Sequence, residues 1–193
     1  MRLTASQMLR RLGAGEPIAS VCAAAGVARA SFDAWWKEEV TARAPAAGGR
    51  RRGPVHAAVE IRRDGKGIPH VVAASDEDLF VGYGYAEAED RLWQLDYLRR
   101  RALGTLSEIL GPEAFAYDLT VRTVGLPRIA AAELDALPAE TRRLVEAYAA
   151  GVNALMEATR DRLPIEFALL DYEPDPWRPL DCLAIMGEFR WYL

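Results

Sequence analysis

The chain of 193 residues is long enough for one domain, or for a small domain followed by a medium-sized one. Hydrophobic residues at 51% and charged residues at 27% exclude an intrinsically disordered chain, and no apolar run is long enough to span a membrane. The net charge of −4 argues against a protein that coats nucleic acid, while a local basic patch stays compatible with it.

The N-terminus and the cysteines indicate the compartment. The first 20 residues contain charges and glycines but no continuous apolar segment, so they do not form a secretory signal. Cys22 and Cys182 have neither the spacing of metal ligands nor a disulfide framework, which fits small packing residues in a reducing compartment. We therefore expect a cytoplasmic protein without a membrane segment.

Three short helices are predicted in an N-terminal module over residues 1–44. Thr4 is suited to cap the first helix, Pro17 to occupy the first turn of the second, and Gly26 to form the turn before the third. The apolar side chains that can supply the core of this module are Val27, Phe32, Trp35 and Trp36.

This module resembles the helix-turn-helix of resolvases and transposases. The matching residues are Ala25, Gly26, Val27, Phe32 and Trp35. In a DNA complex, base edges would face the first residues of the third helix, which are Ala28, Arg29, Ala30 and Ser31. The same helix carries acidic residues that would repel phosphate, namely Asp33, Glu38 and Glu39. The charge pattern favours a structural or partner-docking module, with DNA binding as the alternative.

A linker is predicted at residues 45–54, where Pro, Ala, Gly and Arg replace any apolar periodicity. It precedes a second region over residues 55–193. From Val55 to Arg62 apolar and polar residues alternate, as in a half-buried strand. Together with the turn DGKG and the β-rich run that contains Pro69, they predict a hairpin over residues 55–74.

Helices are predicted over most of the remaining chain. Ser75 is suited to cap a helix, and the pattern is helical from Leu79 to Gly111, with Gly82 and Gly84 as positions where the helix breaks or bends. Its apolar stripe consists of Leu92, Leu95, Leu98, Ala102, Leu106 and Ile109.

Two further helices follow. One runs from about Pro138 to Arg160, and Gly151 within it costs about 1 kcal/mol relative to alanine. Its buried face is predicted to consist of Leu144, Tyr148, Val152 and Leu155. A proline-stiffened loop then leads to a last helix from Asp181 to Leu193.

The stretch over residues 67–96 combines carboxylates, glycines and aromatic residues as densely as an active site. Gly82 and Gly84 begin a G-x-G, but Glu87 stands where the dinucleotide fingerprint requires its third glycine. An acid/base pair of a glycosidase needs two carboxylates held apart across a cleft, which contiguous residues of one helix do not provide. Both kinds of site are excluded here.

Ion pairs and structural histidines are predicted in this region instead. Charges at helical spacing predict the pairs Glu87–Arg91, Asp96–Arg99 and Asp96–Arg100. Such pairs are typical of a salt-bridged surface or a subunit joint. His56 and His70 are too few for a histidine-rich metal site, and we expect a structural hydrogen-bonding role for His70.

Aromatic residues are concentrated at the C-terminus. As neighbours on a helix, Phe189, Trp191 and Tyr192 are either part of the core or the lining of an apolar pocket with Arg190 at its rim. An apolar helix face at this position needs cover, so we expect a partner chain.

Five ordered motifs follow Val55. They are IRRDGKGIPHVVA, DLFVGYGYAEAEDRLWQLDYLRR, GTLSEILG, AYAAGVNA and YEPDPWRPLD. In this order they resemble the α chain of the penicillin acylase family of N-terminal-nucleophile hydrolases. The resemblance implies an α+β fold, in which a mainly helical α chain with a β-hairpin completes an αββα sandwich together with a β chain. The small three-helix module at the N-terminus is an addition to this pattern.

The resemblance also implies an activity. Family members are heterodimers cut autocatalytically from one precursor, and they hydrolyse the amide bond of N-acyl compounds. The nucleophile is the N-terminal Ser of the β chain, whose own α-amino group acts as general base. The resemblance therefore implies that the present chain contains no catalytic residue and no metal ligand, and that it requires no cofactor. The partners it implies are a β chain and a small N-acyl amide. Whether the heterodimer forms higher oligomers stays open.

The α chain contributes the wall of the acyl pocket in this family, on the helix after a Trp-Pro-Asp motif. Here the motif is Trp177, Pro179 and Asp181. The substrate-binding candidates implied are therefore Phe189, Arg190, Trp191 and Tyr192. Several members also bind a structural calcium through one α-chain glutamate beyond the motif. Only Glu188 follows the motif here. Two alternatives stay open: calcium is bound by residues outside this chain, or no calcium is bound.

Other functions stay open on the sequence alone. One alternative is a DNA-binding regulator that uses an acylase-derived domain to sense a ligand, and another is a structural fragment of a degenerate family member. The N-terminal extension could cover a substrate entrance, mediate oligomerisation or be an evolutionary relic. A second chain that co-purifies with turnover distinguishes the amidase from these alternatives.

Overall fold

The computed structural model describes residues 3–44 and 48–193, which form ten α-helices and one β-hairpin. The strands are β1 (Glu60–Arg63) and β2 (Pro69–Val72). The helices are α1 (Ala5–Gly13), α2 (Ile18–Ala25), α3 (Arg29–Arg43), α4 (Asp76–Leu103), α5 (Ser107–Leu110), α6 (Phe115–Val124), α7 (Leu126–Ala136), α8 (Ala139–Ala158), α9 (Ile165–Leu170) and α10 (Pro179–Tyr192). The first three residues of the predicted linker, 45–47, lie outside the described residues.

Two compact units divide the chain. The first combines Met1–Ala47 with Thr159–Pro174, and the second combines Gly48–Ala158 with Asp175–Leu193. Within the described residues, every helix is too short or too polar to cross a lipid bilayer.

Local capping explains where the helices of the first unit begin. Thr4 accepts a hydrogen bond from the backbone of Gln7, whose side chain accepts one from the backbone of Thr4, which confirms the predicted cap. Gly26 ends α2 in the left-handed conformation, with φ of 66°, and so forms the predicted turn. Pro17 is the residue before α2 and not part of its first turn, because its ψ of 139° is extended.

The core of the three helices is the predicted one in its main features. Phe32 is buried, and Val27, Trp35 and Trp36 pack against it at the edge of the cluster. The other buried members come from α1 and α2, and they are Met8, Val21, Cys22 and Ala25. The ring of Trp36 stacks on Phe32 at 6.5 Å between centroids.

The hairpin begins later than the sequence alternation predicts. β1 and β2 are antiparallel, with Glu60 opposite Val72 and Arg63 opposite Pro69. The predicted strand from residue 55 is wrong at its start, because the backbone N–H groups of His56 and Ala57 donate to the carboxylate of Asp78 at 2.8 and 3.0 Å. These N–H groups are bonded to a side chain in the first turn of α4 and are not available to a ladder of strands.

Helix α4 is the longest element, and its bounds differ from the prediction. The cap at Ser75 is confirmed, since its hydroxyl accepts from the backbone of Asp78 at 3.2 Å. The helix ends at Gly104, whose φ of 66° stops it before the predicted end, and α5 follows separately. The bend predicted at Gly82 and Gly84 is wrong, because the non-helical backbone lies at Arg91.

Glycines bring α4 and α8 into close contact. A side chain at Gly84 would overlap the carbonyl oxygen of Tyr148, and one at Gly151 would overlap that of Val81. Gly82 is also confined, but by side chains and not by backbone, since methyl carbons of Val59 and Val71 lie 2.6 Å from where its Cβ would be. From the sequence alone, Gly151 is expected only to lower the helix propensity of α8. The structure shows that alanine would not fit at this position.

The remaining core lies between α4, α7 and α10. Its buried members are Ala102, Ala130, Leu183 and Ala184. Most of the predicted apolar stripe is buried, although Leu98 and Ile109 are only partly so. Its last two members, Leu106 and Ile109, lie beyond the end of α4. The predicted helices at 138–160 and from residue 181 are confirmed within about two residues, whereas α6, α7 and α9 were not predicted.

Candidate functional site

A buried ion-pair network lies on the inner side of α4. Asp96 contacts Arg99 at 2.5 Å and Arg100 at 3.0 Å, which confirms both pairs predicted from the helical spacing. Their predicted place on a surface is wrong, since all three side chains are less than a tenth exposed. Charges buried to this extent need several partners, so the network fixes neighbouring segments in place.

Arg99 holds the loop that carries the Trp-Pro-Asp motif. Its guanidinium donates to the backbone carbonyls of Asp175 and Pro176, at 2.7 and 3.2 Å, and lies 5.3 Å from the ring centre of Trp177. It also reaches the carboxylate of Asp181 at 3.4 Å. One side chain of α4 therefore contacts the loop, its tryptophan and the first turn of α10.

Asn153 of α8 holds the same tryptophan from another direction. Its side-chain amide donates to the carbonyl of Trp177 at 2.8 Å, and its oxygen accepts from the N–H of Trp177 at 2.7 Å. The indole N–H donates to the sulfur of Cys182 at 3.3 Å. Burial raises the pKa of the Cys182 thiol to about 11, which confirms this cysteine as a packing residue that stays protonated near neutral pH.

Asp181 lies in the first turn of α10 and is completely buried. Its carboxylate accepts from the backbone N–H of Arg178 at 2.9 Å and from the Arg178 guanidinium at 3.0 Å. A carboxylate in the first turn is also stabilised by the helix dipole. The motif predicted from the sequence is thus a capped and cross-linked helix start.

A second buried carboxylate lies near the other end of α10. Glu188 is 2% exposed, contacts Arg101 of α4 at 2.7 Å and accepts from the hydroxyl of Tyr117 of α6 at 2.6 Å. The Arg101 guanidinium lies 5.5 Å from the ring centre of Tyr117 and 5.7 Å from that of Tyr192. Burial raises the pKa of Tyr117, so its hydroxyl stays a donor at neutral pH.

The four predicted substrate-binding residues occupy the last turn of α10. Phe189 is 50% exposed, Trp191 44% and Tyr192 72%. Consecutive helix residues point about 100° apart, so the four side chains do not converge on one point. Arg190 pairs with Glu133 of α7 at 2.6 Å, while Tyr192 lies beside Arg101. Their role in binding stays a prediction.

Sequence reasoning missed two members of the Glu188 cluster. Tyr117 belongs to a helix that was not predicted, and Arg101 was one arginine of a run without a distinguishing signal. The predicted pair of Glu87 with Arg91 is wrong: Glu87 accepts from the hydroxyl of Tyr148 at 2.8 Å, and Arg91 donates to Gln94.

The described residues around Glu188 do not fit a calcium site. The guanidinium of Arg101 already lies against the carboxylate, where a cation would bind. Within residues 3–44 and 48–193, no three or more His, Cys, Asp and Glu side chains are grouped to hold a metal ion. Calcium held by residues of another chain stays a prediction.

Both histidines lie in the hairpin region. His70 contacts the carboxylate of Asp64 at 3.4 Å across the hairpin turn, which confirms the structural hydrogen bond predicted for it. His56 is exposed and lies 3.8 Å from Glu77.

Comparison with known proteins identifies the family of the second region. Residues 58–193 match the family model described as penicillin amidase. The chain is 43% identical over 130 residues to penicillin acylase 2 proenzyme of Pseudomonas sp. (strain SE83), covering 67% of this chain and 17% of that protein. It is 36% identical over 129 residues to acyl-homoserine lactone acylase QuiP of Pseudomonas aeruginosa, covering 67% and 15%.

A solved structure agrees with these matches. A thermostable penicillin G acylase from Alcaligenes faecalis is 38% identical, with a TM-score of 0.65, and the match covers 70% of this chain and 74% of that one. The present chain spans about a sixth of the length of the curated relatives it matches. From residue 58 onwards both sequence and fold agree, and the chain therefore belongs to the penicillin amidase family, in the region of its α chain.

Proposed function

We propose that this chain is the α chain of a heterodimeric acylase that hydrolyses the amide bond of N-acyl compounds. The relatives are acylases by name, and one of them is named as a proenzyme, which supports a precursor that is cut into an α and a β chain. The α+β character of the chain suits an αββα sandwich completed by a β chain, with the hairpin as the part that joins its sheets. Cytoplasmic location stays a prediction.

The observation that carries the proposal is the support given to α10. Asp181 anchors its first turn through Arg99, and Glu188 anchors its later part through Arg101. Its last turn therefore presents exposed aromatic side chains from a rigid element, which is what a site for an apolar acyl group requires. Because the four predicted side chains point in different directions, we assign Trp191 alone to the wall of this pocket.

The chemistry belongs to the partner chain in this proposal. The hydroxyl of the β chain's N-terminal Ser attacks the carbonyl carbon of the substrate, and the α-amino group of the same residue takes up the hydroxyl proton. The amine product leaves with that proton, and water then hydrolyses the acyl ester to release the acid and restore the serine. The present chain donates no catalytic residue and acts on substrate selection.

Mass spectrometry and N-terminal sequencing of everything that co-purifies with this chain from its full-length gene test the proposal. We expect a larger partner that begins with serine, and a complex that hydrolyses penicillin G or an acyl-homoserine lactone, the substrates named in the relatives. No partner, or a partner with another first residue, would instead favour the ligand-sensing regulator or a degenerate scaffold.

A substitution at the pocket wall tests the role of this chain within the complex. Trp191→Ala should lower kcat/KM roughly tenfold, because it removes one apolar contact with the acyl group. Phe115→Ala is the matched control, since Phe115 is an exposed aromatic residue of α6 outside the proposed pocket. Equal effects of the two variants would contradict the assignment of α10.

A further inference from the structure

Helix α9 packs on the N-terminal three-helix module. It contacts α1 and α3, and all of these elements belong to one compact unit. Phe167 of α9 is 2% exposed, and its ring lies 5.1 Å from that of Tyr172. A helix of six residues is marginal by itself in water, so the module supplies the packing that α9 needs.

The contact between α1 and α9 is made by backbone. A Cβ at Gly13 would overlap the carbonyl oxygen of Leu169 and lie 2.5 Å from its carbonyl carbon. Gly13 is the last residue of α1. Glycine is needed here because a side chain would not fit, and not because the backbone adopts a left-handed conformation. Because the opposing atoms are backbone, they cannot rotate away as the end of a flexible side chain could.

Three arginines of the module are paired with carboxylates of the module itself. Arg29, the residue suited to a base contact, pairs with Asp33 at 2.8 Å, and Arg11 pairs with Glu16 at 2.6 Å. Arg43 pairs with Glu39 on α3. Phosphate binding needs arginine and lysine side chains that are free to neutralise phosphates and displace the counterions of the DNA, so these pairs work against DNA affinity.

One arginine of the module reaches the α9 segment. Arg10 of α1 lies 3.6 Å from the carboxylate of Asp171, directly after α9. Asp171 ends α9 in the left-handed conformation, with φ of 54°. The surface of α1 therefore matches the end of α9 in shape at Gly13 and in charge at Arg10.

We propose that the N-terminal module is an intramolecular clamp whose partner is the segment Thr159–Pro174 of the same chain. The segment lies between α8 and α10 in sequence, and its only α-helix, α9, packs on α1 and α3 of the module. This role does not depend on the proposed acylase activity. It replaces DNA recognition as the function of the helix-turn-helix-like extension.

Hydrogen exchange of the full chain, measured by mass spectrometry, tests the clamp. In Gly13→Ala we expect exchange in residues 165–170 to accelerate about tenfold or more, because the new methyl group separates α1 from the Leu169 backbone. Peptides from α2 and α3 should keep their protection. If Gly13 were only a helix-end residue, alanine would instead favour α1 and leave α9 unchanged, which would overturn the proposal.

Gly15→Asn is the matched control for this variant. Gly15 has φ of 81° and open space around it, and asparagine tolerates the left-handed conformation. Its exchange pattern should equal that of the unchanged chain. A similar acceleration of α9 in both variants would contradict a specific contact at Gly13.

A pair of surface variants keeps the test valid if Gly13→Ala unfolds the whole unit. Arg10→Gln removes the ion pair to Asp171 and should accelerate exchange of α9 about two- to fivefold, as expected for one exposed pair. Arg29→Gln breaks an equally exposed pair within α3 and should leave α9 unchanged. No difference between the two would overturn the clamp.

DNA binding is the competing outcome. A labelled 20-base-pair duplex of mixed sequence is titrated with the full chain at low salt, and the titration is repeated with Arg29→Ala. We expect no binding that depends on Arg29. Such binding would identify the module as a DNA reader and overturn the clamp. The activity of the complex plays no part in these measurements, so failure of the clamp and failure of the proposed function are distinguishable.

Discussion

Glu188 shows how a single buried carboxylate organises the end of α10. Its partners are Arg101 from α4 and Tyr117 from α6, so three helices meet at one charged group. A charge in such a place is tolerated only when its partners remain, and removal of one partner leaves the other uncompensated. Glu188 therefore acts on the position of the aromatic residues that directly follow it.

Glu188→Gln should lower the free energy of unfolding by about 2–3 kcal/mol, because it leaves the Arg101 guanidinium without its counter-charge. Urea denaturation measures this change. Glu133→Gln is the control, since it breaks an exposed pair with Arg190 and should change stability by less than about 0.5 kcal/mol. Equal losses in both variants would mean that burial of Glu188 has no energetic weight.

At the scale of elements, backbone contact between α4 and α8 dominates the second unit. Gly84 and Gly151 each face a carbonyl of the opposite helix, and this close approach lets Tyr148 reach Glu87. Helix pairs approach this closely only where side chains are missing at the contact. The glycines are therefore part of the packing and not weak points of their helices.

Gly151→Ala should destabilise the chain by about 2 kcal/mol, although alanine favours a helix by about 1 kcal/mol, because overpacking against the Val81 carbonyl outweighs propensity. Gly187→Ala in α10 is the matched control. Its nearest neighbour would lie 4.0 Å away, so the same change should stabilise by up to about 1 kcal/mol. Thermal unfolding of both variants gives the two signs, and a stabilising Gly151→Ala would refute the close contact.

The elements that the sequence predicted are those with clear signals at their ends. Ser75 and Thr4 are capping residues, and the helices after them were predicted. α6 begins after Ala114 without a side-chain cap, which explains why its start was not predicted. α7 is the exception, because Gly125 ends α6 in the left-handed conformation and Pro127 lies in the first turn of α7, and both are boundary signals that the prediction did not use.

Pairing in the site was predictable, but burial was not. The spacing of Asp96, Arg99 and Arg100 fixes which charges can meet on one helix. Whether they face water depends on the loop at Asp175–Trp177, far along the chain, whose carbonyls accept from Arg99. The cluster of Glu188 was missed for the same reason, because its partners come from helices separated in sequence.

At the scale of the whole molecule, neither unit is continuous in sequence. The segment Thr159–Pro174 belongs to the N-terminal unit, whereas its motif neighbours from Asp175 onwards belong to the other. The single linker predicted from the sequence divides the chain only once. It cannot show that a later segment belongs to the first unit, because this arrangement arises from tertiary contacts such as that of Gly13 with Leu169.

Acid should destabilise the protein as a whole. A hydrogen bond from the backbone N–H of Ile68 is the main cause of the lowered pKa of Asp64. A hydrogen bond from the backbone N–H of His56 is the main cause of the lowered pKa of Asp78. Because both pKa values lie below those of the unfolded chain, the stabilisation is complete above about pH 4.5 and is lost as the pH falls further.

Urea denaturation at a series of pH values from about 6 to 3 checks this expectation. The free energy of unfolding should fall with pH, and Asp78→Asn should reduce that fall because asparagine does not titrate. An identical pH dependence in the variant would show that the hydrogen bonds to Asp78 do not favour its ionised form.

The two hydrogen bonds between Asn153 and Trp177 restrict which residues position 153 can accept. Asparagine offers one donor and one acceptor side by side, as the peptide group of a neighbouring strand would. Aspartate has nearly the same shape and is reached by a single base change, but it would set an oxygen against the carbonyl of Trp177. The commonest chemical ageing of asparagine, loss of its amide nitrogen, would have the same effect. The same loss of contact with the loop would therefore follow from one mutation and from one spontaneous reaction at position 153.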